Sequence, residues 1–490
     1  MTAPTFFWHD YETWGIDTAR DRPVQCAGVR TDAEFNVIDE PINLLCRPTP
    51  DYLPAPEACL VTGLTPQQAL DEGMPEAEFI RRVHAELAAP GTCGVGYNSL
   101  RFDDEVTRNT LYRNFYDPYA REWQHGNSRW DLIDLVRLCH ALRPDGMHWP
   151  QRDDGRTSFR LEELTAANDL AHESAHDAMS DVWATLALAQ RIRALQPRMV
   201  DYAMGLRFRH EAARHLNLAT QAPVLYISGQ IPGAQQHAGF MMPLMAHPTR
   251  RHSIIAVDLR QDPSALLSLD ADGIRARLFV SQAELPDGVE RLALREIHLN
   301  RAPMMVPAKM VDDTVAARLG IDLPGCRQHW RQLREAREAL AATLNQVYGA
   351  PAAQRPGSDD PDLMLYSGGF FSDDDRARME AVRHAAPNQL GQFAGRFQDE
   401  RLDEMLWRYR ARNFPETLAP RERQRWQQWC HRRLTHPADG ERGLAEFHQR
   451  ISALRAELGD PNQHGRAHWV LDELDEYGQA LHAAINAPVV

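Results

Sequence analysis

Apolar positions in the first part of the chain alternate between two spacings. Short apolar runs predict strands at residues 5–12, 24–32, 35–48 and 91–98. Apolar residues three and four positions apart predict helices at residues 76–89, 104–116, 131–142 and 177–195. Strands that alternate with helices in this way predict an α/β fold with a mixed sheet over residues 5–195.

The pattern changes twice further along the chain. Residues 197–350 carry apolar β-rich runs at 223–229, 253–259 and 292–307, followed by a helical stretch at 326–348, which predicts a small β-barrel-like or α+β domain. The Pro-, Gly- and Asp-rich segment "GAPAAQRPGSDDPD" at 349–362 is typical of a linker. Helical periodicity then continues to the C-terminus and predicts an all-α domain over residues 354–488.

Composition narrows the class of protein. The 490 residues favour several domains, and 43% hydrophobic with 25% charged residues is normal for a soluble globular protein. The apolar runs are too short to cross a membrane, and the N-terminus lacks a secretory signal. Seven scattered cysteines without a C-x-x-C pair indicate reduced thiols in the cytoplasm, without a zinc site or disulfide framework. The net charge of −14 argues against a protein that coats nucleic acid indiscriminately.

The first strand carries two acidic residues at its end. Asp10 and Glu12 are two positions apart in "FFWHDYETWG", so in an extended strand their side chains share one face. Adjacent carboxylates repel each other unless they are solvated or hold a hard divalent cation such as Mg²⁺ or Mn²⁺. The segment alone therefore leaves two interpretations open: a solvated strand end or half of a metal site.

Two later segments add acidic residues at the starts of predicted helices. Asp103 follows a strand and a turn in "GVGYNSLRFDDEV", where helix N-capping is the simpler explanation. His176 precedes Asp181 by five residues at the start of an apolar helix. Five helical positions would place these side chains about 140° apart, so they can converge only if His176 lies on an irregular entry to the helix.

The order and spacing of these residues, with longer stretches around them, resemble one known family. The stretches are "HDYETWG", "DRPVQCAGVRTDAEFNVI", "RFDDEVTRNTLYRNFYDPYAREWQHGNSRWDLIDL", "SFRLEELTAAN", "AHDAMSDV" and "WRYRARNFPETL". They resemble the histidine-bearing DEDDh superfamily of 3′–5′ exonucleases and, within it, the bacterial exodeoxyribonuclease I (exonuclease I) family. The resemblance implies a ribonuclease H-like exonuclease domain at 5–195, an SH3-like domain at 197–350 and a helical C-terminal domain at 354–488.

The resemblance also implies a catalytic set. Asp10, Glu12, Asp103 and Asp181 match the four family acids that hold two Mg²⁺ ions, with Mn²⁺ able to substitute, and His176 matches the general base. Asp104 is a weaker candidate because the family acid directly follows the Phe. The implied activity is processive degradation of single-stranded DNA from its 3′ end to 5′-mononucleotides by two-metal-ion hydrolysis, in DNA repair and recombination.

Residues 101–160 contain ten arginines and ten acids interleaved with aromatic residues, a mixture that suits single strands, although Tyr112 and Trp130 are better explained as core. By resemblance, the predicted substrate contacts are Glu12, Leu100, Phe102, Arg108, Tyr119, Trp123, Arg137, Arg143 and Arg160. The family also implies a partner, the C-terminal tail of the single-stranded-DNA-binding protein. We expect a monomer with no membrane association.

Two other functions stay open at this point. One is an RNA-trimming DEDDh exoribonuclease, which would keep the catalysis and change the substrate; such enzymes are usually short single domains. The other is a non-catalytic single-strand-binding module with a vestigial site. The intact set of four acids and one histidine argues against the second function.

Overall fold

The computed structural model describes residues 4–172, 175–349, 358–460 and 463–487. As far as the chain is described, it divides into two compact units. The first consists of Met1–Ser128, His172–Trp183 and Pro356–Val490, and the second of Arg129–Ala171 and Ala184–Arg355. Within the described ranges, no helix is long and apolar enough to cross a membrane.

The predicted mixed sheet is present near the N-terminus. Its strands are β1 (Thr5–Thr13), β2 (Pro23–Thr31), β3 (Ile42–Leu45), β4 (Thr92–Gly96) and β5 (Ser128–Asp131), in the order β3-β2-β1-β4-β5. The long central strand β1 pairs antiparallel with β2 and parallel with β4. The boundary between the two units falls inside β5.

The helices between and after these strands are α1 (Pro56–Thr62), α2 (Pro66–Glu72), α3 (Glu76–Ala88), α4 (Asp103–Arg113), α5 (Leu132–Leu142), α6 (Leu161–Ala167) and α7 (Ala178–Leu195). The four predicted helices are confirmed as α3, α4, α5 and α7. The predicted strand at 35–48 is wrong over most of its length, because only β3 forms there. The Asp32 carboxylate accepts the N–H groups of Glu34 and Asn36, at 2.8 and 2.9 Å, and turns the chain before β3.

The second unit contains a five-stranded antiparallel sheet. Its strands are β6 (Val224–Ile227), β7 (Ala238–Ala246), β8 (Ser253–Asp258), β9 (Leu294–His298) and β10 (Met304–Pro307), in the order β10-β6-β7-β8-β9. The neighbouring helices are α8 (Pro197–Gly205), α9 (Arg209–His215), α10 (Ser264–Ser268), α11 (Ala271–Leu278), α12 (Asp313–Leu319), α13 (Leu323–Glu335) and α14 (Arg337–Gly349). The prediction of a small β-rich domain is confirmed, and its helical stretch is divided into α13 and α14.

The described residues of the C-terminal part form helices joined by turns and loops, with no strand among them, as predicted. Its helices are α15 (Asp373–His384), α16 (Glu400–Asn413), α17 (Pro420–Thr435), α18 (Leu444–Leu458) and α19 (Gly465–Asn486). They belong to the same compact unit as β1 and share its cores. Trp14 and Tyr52 lie in one core with Phe447 and Leu471, and Phe115 lies in another with C-terminal residues such as Leu402.

Candidate active site

Strand β1 presents Asp10 and Glu12 beyond the end of its parallel neighbour. The pairing of β1 with β4 stops at Trp8, whereas the pairing with β2 continues and places Glu12 opposite Gln25. The side chains of residues two apart on a strand share a face, and both carboxylates are half-buried. The solvated strand end considered above therefore does not describe this pair.

Asp103 turns toward β1 instead of capping its own helix. Phe102 occupies the N-cap position of α4, and Oδ1 of Asp103 accepts the backbone N–H of Tyr11 at 3.0 Å. This hydrogen bond uses a β1 donor that lies past the last β4 pair. It places a buried carboxylate directly beside the strand segment that carries Asp10 and Glu12.

Asp104, the weaker candidate, has a different role in the structure. Its Oδ1 lies 2.5 Å from a guanidinium nitrogen of Arg121, and both side chains are almost completely buried. The two adjacent acids of α4 are thus distinguished by their partners: a backbone amide of β1 for Asp103 and a buried arginine for Asp104.

His176 meets the geometric requirement set by the sequence. Helix α7 begins at Ala178, and His176 precedes it with a backbone φ of +64°. Because the residue is outside the regular helix, its ring can approach Asp181. Ligand atoms of Glu12, His176 and Asp181 all lie within 4.8 Å of one another.

The acids of the site perturb one another strongly. Burial, together with the charges of Asp103, Glu12 and Asp181, raises the pKa of Asp10 well above its usual value. Burial and the charges of Asp181, Asp103 and Asp177 raise the pKa of Glu12 to about 9. Such a set is stable in its ionised form only with a positive counter-charge. Its oxygen donors and one imidazole fit a divalent cation.

His172 contacts the site but was missed by sequence reasoning. Its Nε2 lies 2.6 Å from Oδ1 of Asp181, and the imidazole side chain is only 6% exposed. Burial raises the pKa of Asp181, and the hydrogen bond from His172 and the charge interactions with His172 and His176 act in the opposite direction. A histidine nine positions before an acid has no periodic signal, so the pattern gave no reason to select it.

The predicted substrate contacts in the first unit differ in how exposed their side chains are and in whether they are held by other residues of the protein. The guanidinium of Arg108 donates to Glu122 at 2.7 and 2.9 Å and to Glu105 at 2.5 Å, so it is held by internal partners. Tyr119 lies under this guanidinium, with 5.4 Å from its ring centroid to Cζ. Trp123 is 65% exposed and presents an open aromatic face. Leu100 and Phe102 are half-buried beside the start of α4.

The other three predicted contacts belong to the second unit. Arg137 is half-buried and pairs with Asp134 at 2.8 Å, whereas Arg143 and Arg160 are exposed. The expectation that Tyr112 and Trp130 are core residues is confirmed, at 3% and 1% exposure. The substrate roles of the remaining residues stay predictions.

Two exposed aromatic residues near Arg108 were also missed. Tyr366 is 64% exposed, and its hydroxyl donates a short hydrogen bond to Glu105 and accepts one from Arg108 at 3.3 Å. Phe370 is 91% exposed and lines a groove with Tyr116, Tyr119, Phe371 and Arg383 among others. These residues follow the linker by sequence, and nothing in the local pattern places them beside the nuclease sheet.

Comparisons with known families agree with this arrangement. The sequence family described as Exonuclease matches residues 7–189, the Exonuclease I SH3-like domain matches 207–350, and the Exonuclease I C-terminal domain matches 359–481. Exodeoxyribonuclease I of Escherichia coli is 45% identical over 445 residues, which cover 90% of this chain and 92% of that protein. The Haemophilus influenzae exodeoxyribonuclease I is 41% identical over 481 residues, 97% and 98% of the two chains.

Solved structures show the same similarity in three dimensions. E. coli exonuclease I in complex with a dA16 oligonucleotide superposes with a TM-score of 0.91 at 41% identity, over 98% of this chain and 100% of that chain. A zinc-bound E. coli ExoI–ssDNA complex and an ExoI/SSB-Ct complex each give a TM-score of 0.90 at 40% identity, with the same coverage.

Proposed function

Because the chain belongs to the exonuclease I family, we propose that it hydrolyses single-stranded DNA processively from the 3′ end and releases 5′-mononucleotides. The observation that carries this proposal is the convergence of residues from three separate segments at one place. Asp10 and Glu12 come from β1, Asp103 from the start of α4, Asp181 from the first turn of α7, and His176 from the residues just before α7. The repelling carboxylates form a site for divalent cations.

We propose that the cations are two Mg²⁺ ions, for which Mn²⁺ can substitute. Asp10, Glu12 and Asp181 would hold one ion, and Asp10 and Asp103 the other, because hard cations prefer carboxylate oxygens. When bound, a pair of such ions activates the attacking water and stabilises the leaving 3′ oxygen. The metal-binding function of these acids explains why they lie close together despite their mutual repulsion.

His176 would act as the general base. Its side chain is exposed while its ligand nitrogen lies within 4.8 Å of the nearest ligand oxygens of Glu12 and Asp181, so it can approach a water bound between them. In its neutral form an imidazole can accept the proton of the attacking water.

The strand would be held by aromatic and arginine side chains without sequence selection. The open face of Trp123 can stack on an unpaired base, and the exposed Arg143 and Arg160 can contact phosphates. The ssDNA complexes of the E. coli relative support a single-stranded substrate.

The ExoI/SSB-Ct complex supports the C-terminal tail of the single-stranded-DNA-binding protein as a partner. We place the protein in the cytoplasm, as a monomer that acts in repair and recombination, with domains at 5–195, 197–350 and 354–488.

The proposal is tested with oligonucleotides labelled at the 3′ or the 5′ end, in Mg²⁺ or EDTA. We expect labelled mononucleotides from 3′-labelled single-stranded DNA in Mg²⁺ at once. With substrate in excess, 5′-labelled DNA should be converted to very short products with few intermediate lengths, because the activity is processive. Little product is expected from duplex DNA, from RNA or in EDTA. Faster digestion of RNA would favour the exoribonuclease alternative, and no metal-dependent product would favour the binding module.

Asp181→Ala gives a residue-level test of the same proposal. The variant should lose turnover because it lacks a metal ligand, yet bind a single-stranded oligonucleotide with an affinity close to wild type, since no base contact is removed. Fluorescence anisotropy of a labelled oligonucleotide and a gel-based nuclease assay measure the two properties. Cleavage at the wild-type rate would contradict the role of Asp181.

A further inference from the structure

Gln25 reaches from β2 to the segment that carries His176. Its side-chain Oε1 accepts the backbone N–H of Ala178 at 3.3 Å, and its Nε2 donates to Oδ2 of Asp177 at 3.4 Å and to Oδ1 of Asn43 at 3.0 Å. Gln25 is only 4% exposed. One buried amide therefore connects two strands of the sheet with the two residues that follow His176.

The hydrogen bonds of Gln25 and Asp177 satisfy backbone N–H groups at the start of α7. The first N–H groups of a helix have no partner within the helix. Asp177 accepts one of them, from Ser180 at 3.0 Å, in the manner of an N-cap. Gln25 accepts the one from Ala178, so a residue of the sheet serves as a second cap for this helix.

The backbone of His176 needs such support. A non-glycine residue with φ of +64° adopts a sparsely populated backbone conformation, which persists only where the surroundings fix it. The His176 side chain is exposed. The backbone of His176 donates a hydrogen bond to Asp181, and the hydrogen bonds of Gln25 attach the next two residues to the sheet.

We propose that Gln25 is a positioning residue that holds His176 over the metal site. It contacts neither substrate nor metal in this role, and it acts through the backbone of residues 177 and 178. Gln25 on β2 is the pairing partner of Glu12 on β1. The residue that anchors the His176 segment therefore lies directly opposite a proposed metal ligand. This inference rests on the proposed function, since it assigns the anchored histidine to proton transfer.

Gln25→Met tests the proposal because methionine keeps the side-chain length but cannot form these hydrogen bonds. We expect kcat to fall roughly 10- to 100-fold, as for an approximately 1 Å misplacement of a catalytic group, with KM for the oligonucleotide within about threefold of wild type.

The matched control is Gln221→Met in the second unit. Gln221 is 1% exposed and donates to the backbone oxygens of Pro243 and Leu244, both at 3.3 Å. Its kcat should stay within about twofold of wild type.

A double-mutant cycle separates positioning from a general structural effect. His176→Ala alone should slow hydrolysis by roughly 10²- to 10⁴-fold through loss of the general base. If Gln25 acts through His176, adding Gln25→Met to the His176→Ala variant should lower kcat by less than about threefold. Hydrogen exchange of amides 175–181 should rise at least about tenfold in Gln25→Met, with exchange in β1 unchanged.

The following results would overturn the inference. A full additional loss of kcat in the His176→Ala background would mean that Gln25 acts elsewhere. Unchanged exchange at 175–181, or equal increases in β1 and β2, would mean that it does not anchor this segment or only stabilises the fold. If the wild-type enzyme itself lacks metal-dependent nuclease activity, the proposed function fails, while the exchange experiment still decides whether Gln25 anchors the segment.

Discussion

The raised pKa of Glu12 indicates that its ionised carboxylate needs a positive counter-charge. Its carboxylate is held near three other acids, and burial plus these charges raises its pKa from the usual 4.5 to about 9. At neutral pH without metal, the folded protein therefore keeps a proton that the unfolded chain would release. A divalent cation must displace this proton when it binds, so metal affinity and pH are linked.

We predict that the metal-free protein loses stability as the pH rises from about 4.5 to about 9, the window between the usual and the raised pKa of Glu12. The folded state binds more protons than the unfolded state across this window, so the free energy of unfolding falls with increasing pH. In EDTA, the Tm of Glu12→Gln should decrease less with rising pH than the Tm of the wild type. Mn²⁺ affinity of the wild type should increase over the same range. Parallel Tm curves for both proteins would contradict the prediction.

A second residue-scale prediction concerns His172. Its Nε2 is 2.6 Å from Asp181, and donors behind a metal ligand usually contribute about 10- to 100-fold to metal affinity. We expect His172→Ala to weaken Mn²⁺ binding in calorimetry by such a factor, and His172→Gln, which keeps an N–H donor, to restore most of it. His482→Ala, an exposed histidine of α19, is the control. Equal Mn²⁺ affinity in all variants would exclude this role.

At the scale of elements, the beginnings of α4 and α7 bring the site together. Sequence patterns predicted both helices, and the acidic residues at their starts, because apolar periodicity and spacing are local properties. The contacts that distinguish Asp103 from Asp104 depend on β1 and on Arg121, which are distant in the chain. Capping and metal binding favour the same residue types at a helix start, so the pattern alone could not separate them.

The two acids of α4 should respond differently to substitution. Asp104→Ala leaves Arg121, whose side chain is 1% exposed, as an unpaired buried charge, and removing one member of such a pair typically costs about 3–5 kcal/mol. Asp103→Asn should instead abolish activity with a much smaller loss of stability. Denaturant unfolding followed by circular dichroism, together with the nuclease assay, measures both effects. A stable but inactive Asp104→Ala would reverse these roles.

At the scale of the whole molecule, the order of the domains was predictable and their packing was not. The helical C-terminal part was expected after a linker as a separate region, yet its helices share cores with the nuclease strands in one compact unit. Buried ion pairs reinforce these cores: Asp51 of the nuclease part is fully buried and lies 2.8 Å from Arg412, which also contacts Asp362 at 2.7 Å. Burial would raise the pKa of Asp51, but the surrounding guanidinium groups lower it well below its usual range.

The shared cores predict that the nuclease part cannot fold without the C-terminal helices. A fragment ending at residue 349 would expose the core faces of Trp14, Tyr52 and Phe115 and leave Asp51 without Arg412. We expect this fragment to aggregate or to lack near-UV circular dichroism and nuclease activity. The control is the full chain cut at a protease site inserted between residues 349 and 358, whose two pieces should stay associated in gel filtration, because burial of a common core and not the peptide link holds them together. An active, monomeric fragment with the Tm of the full chain would show that the nuclease part is independent of the C-terminal helices.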